Sequence, residues 1–216
     1  TPLEAAKLKN INSLAARGTV GMVSTIPDGM APGSDAANLS VMGYDPKVFH
    51  TGRSPLEAVS MGIGMSSTDV AFRCNLVTLK GDGDYADLII ADHSSGDITT
   101  EEAAELLKAV NEAFETERIK FYTGFSYRHA MIVHDGSVDH ELTPPHDVLD
   151  QRVGDHLPKG EGSEFIKGMM LESYKLLSKH PVNLKRVEKG LNPANSIWIW
   201  GQGKKPNLTP LYEKYH

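Results

Sequence analysis

The apolar positions of this chain fall into two periods. From Thr99 onward, Thr99-Thr100-Glu101-Glu102 forms a capping box, and Ala103, Leu106, Leu107, Val110 and Phe114 follow at helical spacing. Ser163 to Lys179 repeats the pattern with Ile166, Met169, Met170, Tyr174 and Leu177 on one side. Both segments predict amphipathic helices. Period-two alternation appears from Asp69 to Lys80, where Val70, Phe72, Cys74, Leu76 and Thr78 share a face; this predicts a half-buried strand. Shorter β-rich runs predict strands at Ala86–Ala91, at Ile119–His134 as two strands bent near Gly124, and at Ser196–Trp200, ended by Gly201-Gln202-Gly203.

The N-terminal quarter is less regular. Thr1-Pro2-Leu3-Glu4 has cap, proline and glutamate where a helix starts, and Arg17-Gly18 closes it, so residues 2–17 predict a helix. Gly18 to Thr25 predicts a short strand, and a short helix is expected from about Asp35. Ser54-Pro55-Leu56-Glu57 repeats the cap-proline-glutamate start and predicts a helix ending near Gly62. Residues 135–162 hold Pro144, Pro145 and Pro158 among several His and Asp, and predict a long loop of the kind that is often functional. A start on a helix cap, without Met, leads to the expectation of a piece of a longer protein.

Composition narrows the classes. The chain has 216 residues, 40% apolar and 23% charged. A net charge of −6 argues against a general nucleic-acid binder, which needs a basic face for phosphates. No apolar run reaches the ~18 residues of a membrane span and no signal-peptide pattern opens the chain, so neither membrane nor nucleic acid is expected as a partner. A single cysteine, Cys74, leaves no internal disulfide and no multi-cysteine metal site; a reducing, cytoplasmic setting is the expectation.

The chemistry-bearing residues admit two readings each. Ser34, in Pro32-Gly33-Ser34-Asp35, is either a helix N-cap or, in a turn whose N–H groups hold an anion, a nucleophile. Arg53, Arg73 and Arg128 lie on separate predicted elements; they are either solvated or converge on a small anion through their forks. None of the nine histidines forms His-Glu-x-x-His or His-x-His spacing, although Asp92-His93 and His146-Asp147 are pairs suited to a metal or to proton transfer. Trp198 and Trp200 share a strand face, as core or as a pocket wall.

Several strings, in order, resemble one family: TPLEAA (1–6), LAARG (14–18), PDGMAPGSDAANLSVMGYDP (27–46), TGRSPLEA (51–58), FRCNLVTL (72–79), FYTGFSYRHAMIV (121–133), TPPHD (143–147) and NPANSIWIWGQG (192–203). They look like archaeal-type cofactor-independent phosphoglycerate mutases of the alkaline phosphatase superfamily. The resemblance implies an α/β protein: a partial catalytic segment with the serine loop at 1–46, an α+β insert domain at 47–205 whose mixed or antiparallel sheet is flanked by helices, and a return segment at 206–216. It implies that Ser34 is the nucleophile that becomes phosphoserine and a metal ligand, with Asn38 where better-studied relatives carry a histidine. It implies that Arg53, Arg73, Arg128, His129, His146 and Asp147 hold a small phosphorylated carboxylate substrate. A divalent metal (Mn2+, Mg2+ or Zn2+) is implied for the whole enzyme, its other ligands lying outside this chain. The ending Trp198-Ile199-Trp200-Gly201-Gln202 also resembles a branch described as homoserine kinase-like, which makes a phosphotransferase of threonine synthesis the alternative. A third reading of the chain is a substrate-binding module that is inactive alone.

Overall fold

The computed structural model describes residues 1–216, apart from the side chain of Leu3. The chain divides into two compact units, Thr1–Phe49 and His50–His216.

The first unit holds α1 (Pro2–Ala5), α2 (Lys9–Ala15), α3 (Ser34–Val41) and α4 (Pro46–Phe49). The single helix expected over 2–17 is two short ones. No residue of α2 is buried, and Ile11 and Leu14 are 60% and 68% exposed. Without an apolar face to bury, a helix this short gains little from propensity alone. The strand expected at 18–25 is absent among the described residues. Val20, Met22 and Val23 are exposed, and no neighbouring strand takes up their backbone groups. β-propensity creates a strand only where a ladder partner exists. The helix expected near Asp35 is present as α3, with Ala36 and Leu39 buried.

The second unit is an antiparallel sheet covered on both faces. Its strands are β1 (Val70–Lys80), β2 (Ile89–Asp92), β3 (Ile119–Phe125), β4 (Arg128–Val133) and β5 (Ser196–Lys204). β1 is the hub. It pairs antiparallel with β5 from Val70↔Lys204 to Val77↔Ser196, with β4 from Val70↔Val133 to Asn75↔Arg128, and with β2 over Thr78–Lys80; β3 pairs with β4.

One face of the sheet packs against α6 (Thr100–Phe114) and α7 (Glu164–Leu177). Phe72, Cys74, Leu76, Leu106, Leu107, Val110, Ile166, Met170 and Leu177 form its core with the periodicity the sequence predicts. Half of the capping box is made: Thr99 accepts a hydrogen bond from the Glu102 N–H at 3.2 Å, while the Glu102 carboxylate turns to Arg186 instead. β1 is not half-buried. Every residue from Val70 to Leu79 is buried, because α5 (Arg53–Ser60) lies on the opposite face, where Ala58, Ala71, Ala130 and Ile132 form a second, smaller core. Alternation in the sequence showed one apolar face; the second face is closed by tertiary packing.

Helix α8 (Pro181–Glu188) and α9 (Leu211–Tyr215) complete the unit. The loop between β4 and α7 contains two 3-10 turns, Pro145–Asp147 and Val153–His156, the first of which carries His146. The expected stop of β5 at the glycines is a bulge instead: Gly201 has φ 63°, the pairing shifts there, and the strand continues to Lys204. The last part of β5 lies against the start of α5. Gly52 has φ 119°, and a Cβ there would stand 2.6 Å from the Gln202 oxygen; a Cβ on Gly203 would stand 2.1 Å from the Thr51 oxygen.

This crossing generates a test. Gly203→Ala is expected to cost about 2 kcal/mol or more in a thermal or urea melt, since neither backbone yields easily. Gly64→Ala, whose Cβ meets nothing within 4 Å, is expected to stay within about 0.5 kcal/mol of the parent.

Candidate functional site

The site is built on the α5 side of the sheet, from alternate residues of β1. Cross-strand pairing puts Arg73 beside Trp200 of β5 and Asn75 beside both Trp198 and Arg128 of β4. Residues opposite one another in an antiparallel pair point to the same face. Arg73, Asn75, Arg128 and Trp200 therefore share a surface. The Arg73 guanidinium lies 4.5 Å from the Trp200 ring centroid, and the Trp200 indole N–H donates to Asn75 Oδ1 at 3.1 Å. Asn75 Nδ2 in turn donates to the His93 carbonyl at 3.2 Å.

Helix α5 adds the remaining charges. Its start differs from expectation: Gly52, not Ser54, is the N-cap, and Pro55 sits within the first turn, where helical N–H groups lack partners anyway. The Ser54 hydroxyl donates instead to the Gly201 carbonyl. This ties α5 to the β5 bulge and sets Arg53 and Glu57 one turn apart. Arg53 Nε donates to Glu57 Oε1 at 2.9 Å, and Arg73 Nε lies 3.1 Å from Glu57 Oε2. A cavity of about 270 Å3 opens here, lined by Ser54, Glu57, Phe72, Arg73, Arg128 and His129 among others.

Arg73 is 5% exposed. Burial draws its pKa down, the Glu57 carboxylate opposes this, and Arg53 and Arg128 push the same way as burial. Arg73 thus feels both other arginines as well as the Glu57 carboxylate. His129 is buried, and burial draws its pKa down to about 3, so its imidazole is neutral. Its Nδ1 accepts the Gly124 N–H at 3.1 Å, which places the proton on Nε2; that atom has no hydrogen-bond partner among the described residues.

The structure brings Arg73, Arg128 and His129 to one cavity, and Arg53 stands next to it through its pair with Glu57. His146 reaches it through Trp200, ring to ring at 5.2 Å. Asp147 follows only through His146, whose Nε2 is 3.7 Å from its Oδ1, and it is largely exposed. Ser34 belongs to the other unit. It is the first residue of α3 and exposed, with Gly33 as the N-cap, so the cap reading does not describe it; Asn38 lies one turn further along the same helix.

Sequence reasoning missed Glu57, which the cap-proline-glutamate pattern presented as a capping residue. Its spacing from Arg53, four residues along a helix, is the signal that finds it. It also missed Tyr127, whose ring lies 5.1 Å from the Arg128 guanidinium and 5.6 Å from the His93 ring. Asp92, raised as a partner of His93 in metal binding, is committed elsewhere. Its carboxylate accepts from the Ser94 and Gly96 N–H groups and from Asn192, clamping a turn. Among the described residues no group of three or more His, Cys, Asp or Glu is placed to hold a metal ion. The donors present therefore do not fit the divalent ion that the resemblance implies. Among them, too, no helix is long and apolar enough to cross a membrane.

A family profile described as 2,3-bisphosphoglycerate-independent phosphoglycerate mutase matches residues 15–183. A protein of that name from Methanosarcina acetivorans is 46% identical over 216 residues, covering 100% of this chain and 53% of the relative. A probable one from Geobacter sulfurreducens is 46% identical over 215 residues, again with 53% of the relative covered. The solved cofactor-independent phosphoglycerate mutase of Thermoplasma acidophilum superposes with a TM-score of 0.62 at 27% identity, over 85% of this chain and 49% of that one. A solved Pyrococcus horikoshii protein gives a TM-score of 0.70 at 26% identity, over 99% of this chain and 49% of that one. The chain spans about half the length of the curated relatives it matches.

The His129 geometry is testable by NMR. Its imidazole is expected to remain neutral, with Nδ1 bare, from pH 8 down to about 4. Because the folded pKa lies below the ordinary 6.5, the unfolded chain binds the extra proton first. The stability owed to neutral His129 is therefore complete above pH 6.5 and is lost as pH falls towards 3. His129→Gln is expected to flatten that part of the pH–stability curve.

Proposed function

Because this chain belongs to the 2,3-bisphosphoglycerate-independent phosphoglycerate mutases, we propose that it supplies the substrate-holding region and the nucleophile of an isomerase. That enzyme interconverts 3-phosphoglycerate and 2-phosphoglycerate in glycolysis and gluconeogenesis. The observation that carries the reading is that Arg73 and Arg128 line one cavity together with Glu57, and that Arg53 is joined to the group through Glu57. After Glu57 is counted, two positive charges remain for an anion. Guanidinium forks match both carboxylate and phosphate oxygens, and 3-phosphoglycerate carries both.

In this reading Ser34 Oγ attacks the phosphorus of 3-phosphoglycerate. The bond from phosphorus to the 3-oxygen breaks, a bond to Ser34 Oγ forms, and the serine proton leaves as the glycerate 3-oxygen gains one. The freed glycerate turns over while the arginines hold its carboxylate. Its 2-oxygen then takes the phosphoryl group back, regenerating the serine hydroxyl. A phosphatase would release the glycerate to water at the intermediate stage; holding it is the work assigned to Arg53, Arg73 and Arg128. His129 borders the cavity, but its neutral imidazole is buried on the Cys74 face of the sheet, and His146 stands beside Trp200 at the margin. Asp147 is assigned a supporting place next to His146. No step is routed through a metal. The reading places the metal-binding residues in the part of the relatives that this chain does not span. No relative named above supports a homoserine phosphotransferase.

Ser34→Ala in the protein that carries this chain is expected to abolish turnover in a coupled mutase assay; retained turnover removes the assignment. The 216-residue chain alone, with excess Mn2+, is expected to bind 3-phosphoglycerate without interconverting it.

A further inference from the structure

Glu57 is the one acidic side chain lining the cavity. A carboxylate in the middle of an anion site looks like a competitor for the ligand. Its geometry indicates otherwise. Each guanidinium offers two edges to an oxygen pair: the side edge that includes Nε, and the end edge formed by the two terminal nitrogens. Glu57 meets both arginines at Nε, Arg53 at 2.9 Å and Arg73 at 3.1 Å, one carboxylate oxygen to each. The terminal nitrogens of Arg73 make no hydrogen bond among the described residues. The end edges of both forks therefore stay uncommitted.

Three further observations agree. Arg73 is fixed from a second direction by the Trp200 face, so that its position is set by two walls, indole and carboxylate. The Arg73 Nε is buried and makes no hydrogen bond, yet it lies 3.1 Å from Glu57 Oε2, so the pair is held by charge at that atom. Two guanidiniums this close repel each other unless a negative charge lies between them. Glu57 is itself anchored in a helix whose start is tied to the β5 bulge through Ser54. It is a rigidly mounted spacer between two like charges.

We propose that Glu57 is the positioning residue of the anion site: it bridges Arg53 and Arg73 at their Nε atoms and so presents both end edges, side by side, to one anionic group of the substrate. The inference rests on the reading of the arginine cluster as the substrate site. Glu57 touches no reacting atom in this scheme. Its negative charge lowers the overall attraction for an anion, and the two aligned forks outweigh that loss.

The test uses the 216-residue chain, with 3-phosphoglycerate and inorganic phosphate as probes, followed by calorimetry and by tryptophan emission. Arg73 lies on Trp200, so anion binding at the fork is expected to alter that emission. Glu57→Gln keeps the size of the side chain and removes its charge. It is expected to weaken binding of both probes roughly tenfold, in the range for losing a charge-assisted contact, and to remove the ligand-dependent emission change. Glu57→Asp, which is too short to bridge both Nε atoms, is expected to fall between the two. Unchanged or tighter binding by a folded Glu57→Gln, with circular dichroism intact, overturns the proposal and makes Glu57 a competitor. Should Glu57→Gln fail to fold, Glu57→Asp decides by the same criterion. Arg73→Ala separates this inference from the reading beneath it. Loss of binding in Arg73→Ala together with unchanged binding in Glu57→Gln sinks only the positioning role. Unchanged binding in Arg73→Ala sinks the site itself.

Discussion

A positive charge buried in the middle of a sheet is the constraint on which the second unit turns. Arg73 sits on the hub strand at 5% exposure, where an uncompensated ion would cost several kcal/mol. Two groups make the position tenable: the Trp200 ring beneath the guanidinium and the Glu57 carboxylate beside it. Each needs its own scaffolding. The Gly201 bulge shifts the register of β5 where Trp200 comes opposite Arg73. The backbone of residues 51–52 passes close over Gln202 and Gly203 because neither Gly52 nor Gly203 carries a Cβ, and this brings α5 and Glu57 onto the sheet.

The hub strand serves two environments at once. Its even-numbered residues, Phe72, Cys74 and Leu76, anchor the main core against α6 and α7. Its odd-numbered residues Arg73 and Asn75 carry the polar surface. Side chains with a charge to hold are placed most reproducibly when their own backbone is locked by packing from behind. Here the locking comes from the same strand, one residue away. Around Asn75 runs a chain of ring and cation contacts through Arg73, Trp200, His146, His93, Tyr127 and Arg128, with successive separations between 4.5 and 6.1 Å. Long-range elements are needed to assemble it: three strands of the sheet, the turn after β2, the β3–β4 turn, and a 3-10 turn in the long loop.

The chemistry proposed for the chain is divided between its units. Ser34 opens a helix in the first, and the cationic cavity belongs to the second. A mutase that passes through a phosphoserine has two separable needs. One is a nucleophile activated at phosphorus, and the other is a grip on the dephosphorylated glycerate. In the proposal the second unit supplies the grip from its own residues. The first is proposed to supply the hydroxyl, and nothing among its described residues forms a group able to hold a metal ion.

The amino-acid pattern alone determined the amphipathic helices α6 and α7, the alternation of β1, the Thr99 cap, and the pair of strands β3 and β4, although these turn at Ser126-Tyr127 and not near Gly124; each depends on neighbours within one or two turns of chain. Longer strings of residues carried the family resemblance, and with it the candidate arginines. What required tertiary structure was everything decided by a partner distant in sequence. Val20, Met22 and Val23 have the composition of a strand and no ladder to join. Ser54 has the look of a cap and bonds instead to Gly201, far along the chain. Glu57 reads as part of a helix start and lies between two guanidiniums, one of them on another element. Arg73 reads equally as surface or site, and only the packing of α5 and β5 over the strand buries it. Local periodicity reports how a segment satisfies its own backbone and one face; the second face, and the charges on it, are settled by what folds against it.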